Sequence, residues 1–283
     1  MLTTTAFAAK VMGLDWRLLD FLGAGEQAET IIAGAQVVNK TVRNADSSLT
    51  VREVLGDRNN MYILLNFTAP EGTALDAYGY RFRGGHLKIG AGGGWYSSGY
   101  TKLEDADSED NSLDLVLMVT TDGISTGETM TMELTDLEAA AGYGEPYVSL
   151  GLSGTWKVRF PLDYTDCSRN WTGLWKPVTL YGQEVAVTEV SVSPLSVTVK
   201  GSGKNLREVM DAARASEGEG FFPVTLRFRD GTCLTTSSEA GDSYTILTSD
   251  MSLDFYTNWT FHKVIDPEQV ESIEFFGVSI PVG

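Results

Sequence analysis

Val185–Val199 reads VAVTEVSVSPLSVTV, and its alternation decides the fold class. Val185, Val187 and Glu189 share one face of an extended strand, a Ser-Pro step breaks the run, and Leu195, Val197 and Val199 resume the period of two. The pattern has an upstream echo. In Leu49–Phe67, LTVREV is followed by the polar turn GDRNN and then by MYILLNF. Aligning Val51-Arg-Glu-Val54 with Val187-Thr-Glu-Val190 divides the chain into two similar halves, and Val187 and Val197 must then be buried for the duplication to hold.

Composition sets the outer limits. With 283 residues there is length for two domains of ordinary size, each with its own core. A 42% hydrophobic and 21% charged composition is that of a globular protein. The net charge of −17, with 21 basic residues scattered among 38 acidic ones, argues against a nucleic-acid partner, because phosphate binding relies on clustered Lys and Arg.

The first residues, MLTTTAFAAK, have the small, apolar character of the tail of a signal or anchor segment. Leu14, Leu18, Leu19, Phe21 and Leu22 then follow a helical period, so residues 1–33 are read as a segment remnant plus a helical prelude. Gly23-Ala-Gly25-Glu-Gln-Ala28 spells a dinucleotide fingerprint, but the chemistry needs a strand before it, and what precedes is helical.

A first β-domain is expected over 34–163, with strands at Val37–Arg43, Leu49–Leu55, Met61–Phe67, Leu113–Thr120, Thr129–Leu134 and Thr155–Pro161, joined by turns rich in Asn, Asp and Gly. Leu113, Leu115, Leu117 and Val119 share one face, and Val116 and Met118 on the other predict cover on both sides. A second β-domain is expected over 164–283. There Tyr181-Gly-Gln-Glu184 forms a turn, 205–215 is a helical insertion, Phe222–Phe228 and Leu253–Lys263 are strands, and Asp230-Gly231 marks a hairpin. Asp266-Pro267 starts a helix leading through Ile273 to a last strand at Val278–Val282. The fold class is therefore mainly β, two tandem antiparallel β-sandwiches with a short helical N-terminal segment.

Two loops offer ligand chemistry. In GAGGGWYSSGY, Gly90–Tyr100, the aromatics Trp95, Tyr96 and Tyr100 sit on a permissive backbone and are the candidates for a platform against the C–H face of a sugar; the competing reading folds them back over a sandwich end. In LEDADSEDNS, Glu104, Asp105, Asp107 and Asp110 are the positions that would ligate Ca²⁺. That run lacks the central Gly and distal Glu of an EF-hand, which leaves a solvated acidic turn as the competing reading.

Catalytic motifs fail their context. Gly123-Ile-Ser125-Thr-Gly127 spells a nucleophile elbow, yet it lies between strands and not at a strand-to-helix turn, and His86 and His262 sit in no motif. Two-carboxylate glycoside hydrolysis needs acids roughly 5 to 9.5 Å apart, a separation no sequence displays. No cofactor is expected. Cys167 and Cys233 are either a disulfide or two buried thiols acting as small apolar residues.

Several phrases together carry a resemblance: GQEVAVTEVSVSPLSVTV, WKVRFPLDYTD, DPEQVESIEFFGVSIPV, LGDRNNMYILLNFTAPEGT and LEDADSEDNSLDL. With these the chain resembles a domain-of-unknown-function family of membrane-tethered extracytoplasmic proteins of Gram-positive, often gut-dwelling, bacteria, some of them labelled anti-sigma-factor-like. The resemblance implies tandem immunoglobulin-like domains behind a membrane anchor, at the cell surface. It implies a non-catalytic binding or sensory module whose partner is a protein or a cell-envelope ligand, met by loops or an exposed edge strand. A carbohydrate-binding or carbohydrate-active surface protein is the alternative.

Overall fold

A computed structural model of the chain describes residues 14–32, 34–91, 96–104, 110–121, 123, 126–215, 222–237, 243–247 and 253–283. The fold is mainly β and antiparallel, in two compact units, Met1–Asp166 and Cys167–Gly283. The helical prelude, set apart in the sequence-based partition, lies within the first unit.

In the first unit, β1 (Gln36–Asn44), β2 (Ser47–Gly56), β3 (Asn60–Thr68), β6 (Ser112–Thr121) and β5 (Tyr96–Lys102) form one sheet in the order β1-β2-β3-β6-β5. β4 (Gly79–Ile89), β7 (Thr129–Ala140), β8 (Val148–Ser149) and β9 (Thr155–Pro161) form the other, with β7 paired to each of the remaining three. The alternating leucines of β6 enter a sandwich-like core in which Phe67, Phe82 and Trp156 pack edge to face, Trp156 lying 5.1 Å from Phe67 and 5.7 Å from Phe82. The GDRNN turn closes on its own aspartate. Asp57 Oδ1 accepts the backbone N–H groups of Asn59 and Asn60, both at 2.8 Å.

The outer face of the β3 and β6 strands is covered as well, as Val116 and Met118 predicted. Helices α1 (Trp16–Phe21) and α2 (Ala28–Ile32) bury Leu18, Leu19, Ile31 and Ile32, and the Phe21 ring meets Tyr62 of β3 at 6.5 Å. Tyr62, Leu64 and Val116, which alternate with the core residues, are buried in turn.

The second unit repeats the plan. One sheet runs β10 (Arg169–Leu180), β11 (Gln183–Val192), β12 (Ser196–Gly203), β16 (Asp254–Thr260) and β15 (Ser243–Leu247), in that order. The other runs β14 (Cys233–Thr235), β13 (Val224–Phe228), β17 (Val270–Phe275) and β18 (Val278–Pro281). Three strands in meander, a crossing to the other sheet, a return to pair beside the third strand and a second crossing occur in both units. Val187 and Val197 are 0% exposed, as duplication requires. Helix α3 (Leu206–Ala215) occupies the predicted insertion and puts Leu206 and Val209 into the core.

The two units also share an irregularity. Val51 pairs with Leu65 and Glu53 with Leu64, so Arg52 is an extra residue on β2. Val187 pairs with Gly201 and Glu189 with Lys200, so Thr188 is the extra residue on β11. Both bulges fall at the same place in the aligned motif, and each turns its glutamate away from the core face that the preceding valine occupies.

Several elements depart from expectation. β4 went unrecognised because Gly84-Gly85 interrupts the alternation of Tyr80, Phe82 and Leu87. The second half of the Gly90–Tyr100 loop is strand β5, a Ser- and Gly-containing edge whose partner, β6, supplies the apolar surface. β15 pairs β16 along a run carrying no clear period. The helix expected from Asp266 is one 3₁₀ turn, Pro267–Gln269; Asp266 caps it by accepting the Glu268 N–H at 2.9 Å, and then Val270, Ile273 and Phe275 are drawn into β17 by pairing with β13. Cys167 and Cys233 are not joined to each other as a disulfide, and Cys233 is exposed, so it is not a buried thiol either.

Candidate binding surface

Of the aromatic platform, Trp95 lies outside the described residues. Tyr96 and Tyr100 project from β5 on the side facing β4; Tyr96 is exposed, at 37%, and Tyr100 is half-buried against the core. The Tyr96 hydroxyl accepts the Leu87 N–H at 3.3 Å, and Tyr100 packs against Phe82 at 5.9 Å, where burial pushes its phenol well above the ordinary tyrosine pKa. Of the acidic loop, Asp105 and Asp107 lie outside the described residues. Glu104 and Asp110 are exposed, and Asp110 Oδ1 accepts the Ser112 N–H at 2.7 Å, as a turn-forming aspartate does. No group of three acidic, His or Cys side chains converges for a metal among the described residues. Ser125 also lies outside them, and His86 and His262 are exposed on separate units.

The strand that stands out is β10, which sequence reasoning passed over, because comparing the two units isolates it. In the first unit the edge strand β1 is stitched to β9 by side chains: Gln36 Nε2 donates to Pro161 O at 2.9 Å, Lys40 Nζ to Arg159 O at 2.6 Å and Asn44 Nδ2 to Thr155 O at 3.0 Å. Equivalent register puts Trp171, Lys176 and Leu180 of β10 at those three positions. Two of the three stitches are replaced by an indole and an aliphatic group.

Immediately before the shared lysine, each edge strand bulges through a left-handed residue. In β1 it is Asn39, at φ +47°, an ordinary tenant of that region. In β10 it is Trp175, at φ +48°, and its side chain is 66% exposed. Bulky residues pay a conformational penalty there. Tyr181 and Phe276 share such a φ, but their rings are packed against Phe222. Among the described residues, no ring packs on Trp175 to offset the strain.

Its surroundings define what β10 offers. Trp171 is half-buried, with the Arg169 guanidinium 5.1 Å above its ring, and Lys176 is exposed beside Trp175. The strand carries two cations and no acid on a chain of net charge −17. Lys176, Pro177 and the bulge are features that discourage another strand from adding to this edge, so contact here would run through side chains.

One further cluster is electrostatically unusual. Glu53 is 2% exposed, its Oε2 accepts the Asp15 N–H at 3.0 Å and its Oε1 has no hydrogen-bond partner among the described residues. Burial, aided by the neighbouring Asp15 charge, pushes its carboxyl up to about 7. Burial also acts to raise Asp15, but hydrogen bonds and charge from Arg17, with Arg52 adding to them, hold that carboxyl below its ordinary value.

No protein-family model matches this chain, and no curated protein matches it. Among solved structures, the chain is similar to one described as the crystal structure of the conserved domain protein from Bacillus anthracis, with a TM-score of 0.55 at 12% identity over 84% of this chain and 75% of that one. That share exceeds what either unit alone makes up of the chain. At such identity the likeness is one of fold.

Proposed function

We propose that this chain is a non-catalytic, extracytoplasmic binding or sensory module of a membrane-anchored protein, made of two immunoglobulin-like β-sandwiches in tandem, which meets a protein or cell-envelope ligand along β10 around Trp175. The observation that carries the reading is an exposed tryptophan held at positive φ where the sister unit has asparagine. Exposed indoles anchor binding surfaces disproportionately, and strain kept without a packing return marks a position under a functional demand. The resemblance to membrane-tethered extracytoplasmic proteins supports the location. The carbohydrate alternative draws less support, since Tyr100 is packed into the seam between β4 and β5 and leaves Tyr96, whose hydroxyl accepts the Leu87 N–H, as the exposed aromatic of the pair.

Replacing Trp175 by glycine separates the two roles the residue could have. Relief of the left-handed strain is expected to leave stability unchanged or raise it by about 1 kcal/mol, measured by urea unfolding, whereas retention of the protein on isolated bacterial envelopes is expected to fall at least tenfold. Unchanged retention of the glycine variant would remove β10 as the binding edge. Digesting the envelopes beforehand with protease or with a wall-polymer hydrolase then separates a protein ligand from a polymer.

A further inference from the structure

The bulges at Arg52 and Thr188 place a glutamate at the same point in each unit, and the partners opposite differ. Glu189 faces Lys200 across the β11–β12 pair, with Lys200 Nζ 3.5 Å from Glu189 Oε1. Glu53 faces Leu64 across β2–β3. The first unit therefore keeps the acid and lacks its cation, and the helical segment over that face supplies a single backbone N–H, from Asp15, in its place. The charged groups around Glu53 come from each element packed there. Asp15 and Arg17 belong to the helical segment, Arg52 to β2 and Asp114 to β6. Arg17 bonds Asp15 at 2.8 Å and Asp114 at 2.5 Å, and Arg52 reaches Asp15 at 3.0 Å and Asp114 at 3.7 Å. Both arginines make their ion pairs with the two aspartates and reach Glu53 only as charges that oppose the larger effect of burial, and among the described residues Glu53 Oε1 has no hydrogen-bond partner beneath the segment.

We propose that Glu53 is a proton-operated latch for residues 14–32: protonated, it lets the helical segment seat on the outer face of the β3 and β6 strands, and ionised, it weakens that seating. The device is independent of what β10 binds. The sign follows from linkage. A carboxyl whose pKa is about 7 when covered and about 4.5 when released holds its proton more tightly in the covered state, so seating is favoured below pH 4.5 and weakens as pH climbs to 7, then levels off. Asp15 acts oppositely. Its lowered pKa contributes to seating above about pH 4, and that contribution is lost on further acidification. Seating therefore peaks in mildly acidic solution.

Hydrogen exchange on the intact chain tests this, with rates corrected for intrinsic pH dependence. Between pH 6 and pH 8, amide protection in residues 14–32 is expected to fall on the order of tenfold, while amides of β11 and β12 stay constant as an internal control. Glu53→Gln keeps an acceptor for the Asp15 N–H and removes the charge, so its protection should not change over the same interval. Equal loss in wild type and variant, or none in wild type, would overturn the latch. Should the variant fold poorly, the wild-type protein still decides the matter: the side-chain carboxyl carbon of Glu53 should titrate by NMR with a midpoint near 7, and a midpoint near 4.5 would overturn it.

Discussion

Val187→Asp is expected to unfold the second unit. Val187 is fully buried on β11, one residue before the bulge, and its side chain joins a core that includes Val199, Phe255 and Trp259. A carboxylate placed there has no partner on that face, and an unpaired buried charge costs roughly 3–5 kcal/mol or more, a large part of the ~5–15 kcal/mol by which a domain is stable. The charge cannot escape by a shift of one residue, because the bulge already fixes which side chains point inward on both sides of it. Circular dichroism and a urea titration should show loss of β signal from about one unit's worth of chain, with the variant largely insoluble. A variant that melts within about 1 kcal/mol of wild type would mean that the face opposite Val187 is wet.

Trp259→Ala is the second large effect. Trp259 is fully buried on β16, and its indole N–H donates to the carbonyl of Phe222 at 2.8 Å, tying β16 to the chain just before β13 in the opposite sheet. Truncation removes the ring's packing, for about 3–5 kcal/mol, and leaves the Phe222 carbonyl short of a donor, for roughly another 1 kcal/mol. Trp156 in the first unit is equally buried, but its indole nitrogen has no hydrogen-bond partner among the described residues. Conservative Trp→Phe changes should therefore separate the two sites, with position 259 the more costly by about 1–2 kcal/mol in urea unfolding. Equal costs at the two positions would contradict the Phe222 bond.

The part of the fold visible in the sequence is the part in which side-chain alternation is clean. MYILLNF and SLDLVLMV fell into strands because one face of each is continuously apolar, LTVREV and VAVTEVSV because an apolar alternation runs up to and resumes after the bulge, and Tyr181-Gly182 turned where both residues adopt positive φ. Where glycine interrupts the period, as in β4, or where an edge strand borrows its apolar surface from a neighbour, as in β5, local pattern carries too little information. Val270–Phe275 shows the opposite failure. A correct cap at Asp266 announced a helix, and the sheet's demand for Val270, Ile273 and Phe275 overrode it after one turn.

The candidate surfaces were less legible than the fold. Tyr96 and Tyr100 were visible as aromatics near glycine, but only the pairing of β5 with β6 reveals that they face β4. Trp175 and Glu53 carried no motif. Each becomes conspicuous against its counterpart, Trp175 against Asn39 and Glu53 against Glu189, and those counterparts are assigned by strand register. The signal was nevertheless present in Val51-Arg-Glu-Val54 and Val187-Thr-Glu-Val190: valines three apart with a glutamate between them cannot both face a core in a regular strand, so the motif already implied a bulge.

The register itself is the quantity on which the comparison of the two units stands. Cross-strand NOEs in a deuterated, selectively protonated sample measure it directly. Val51 should connect to Leu65 and Glu53 to Leu64, with Arg52 skipped, and Val187 should connect to Gly201 and Glu189 to Lys200, with Thr188 skipped. A continuous register in either pair, with Arg52 opposite Leu64 or Thr188 opposite Lys200, would contradict the account.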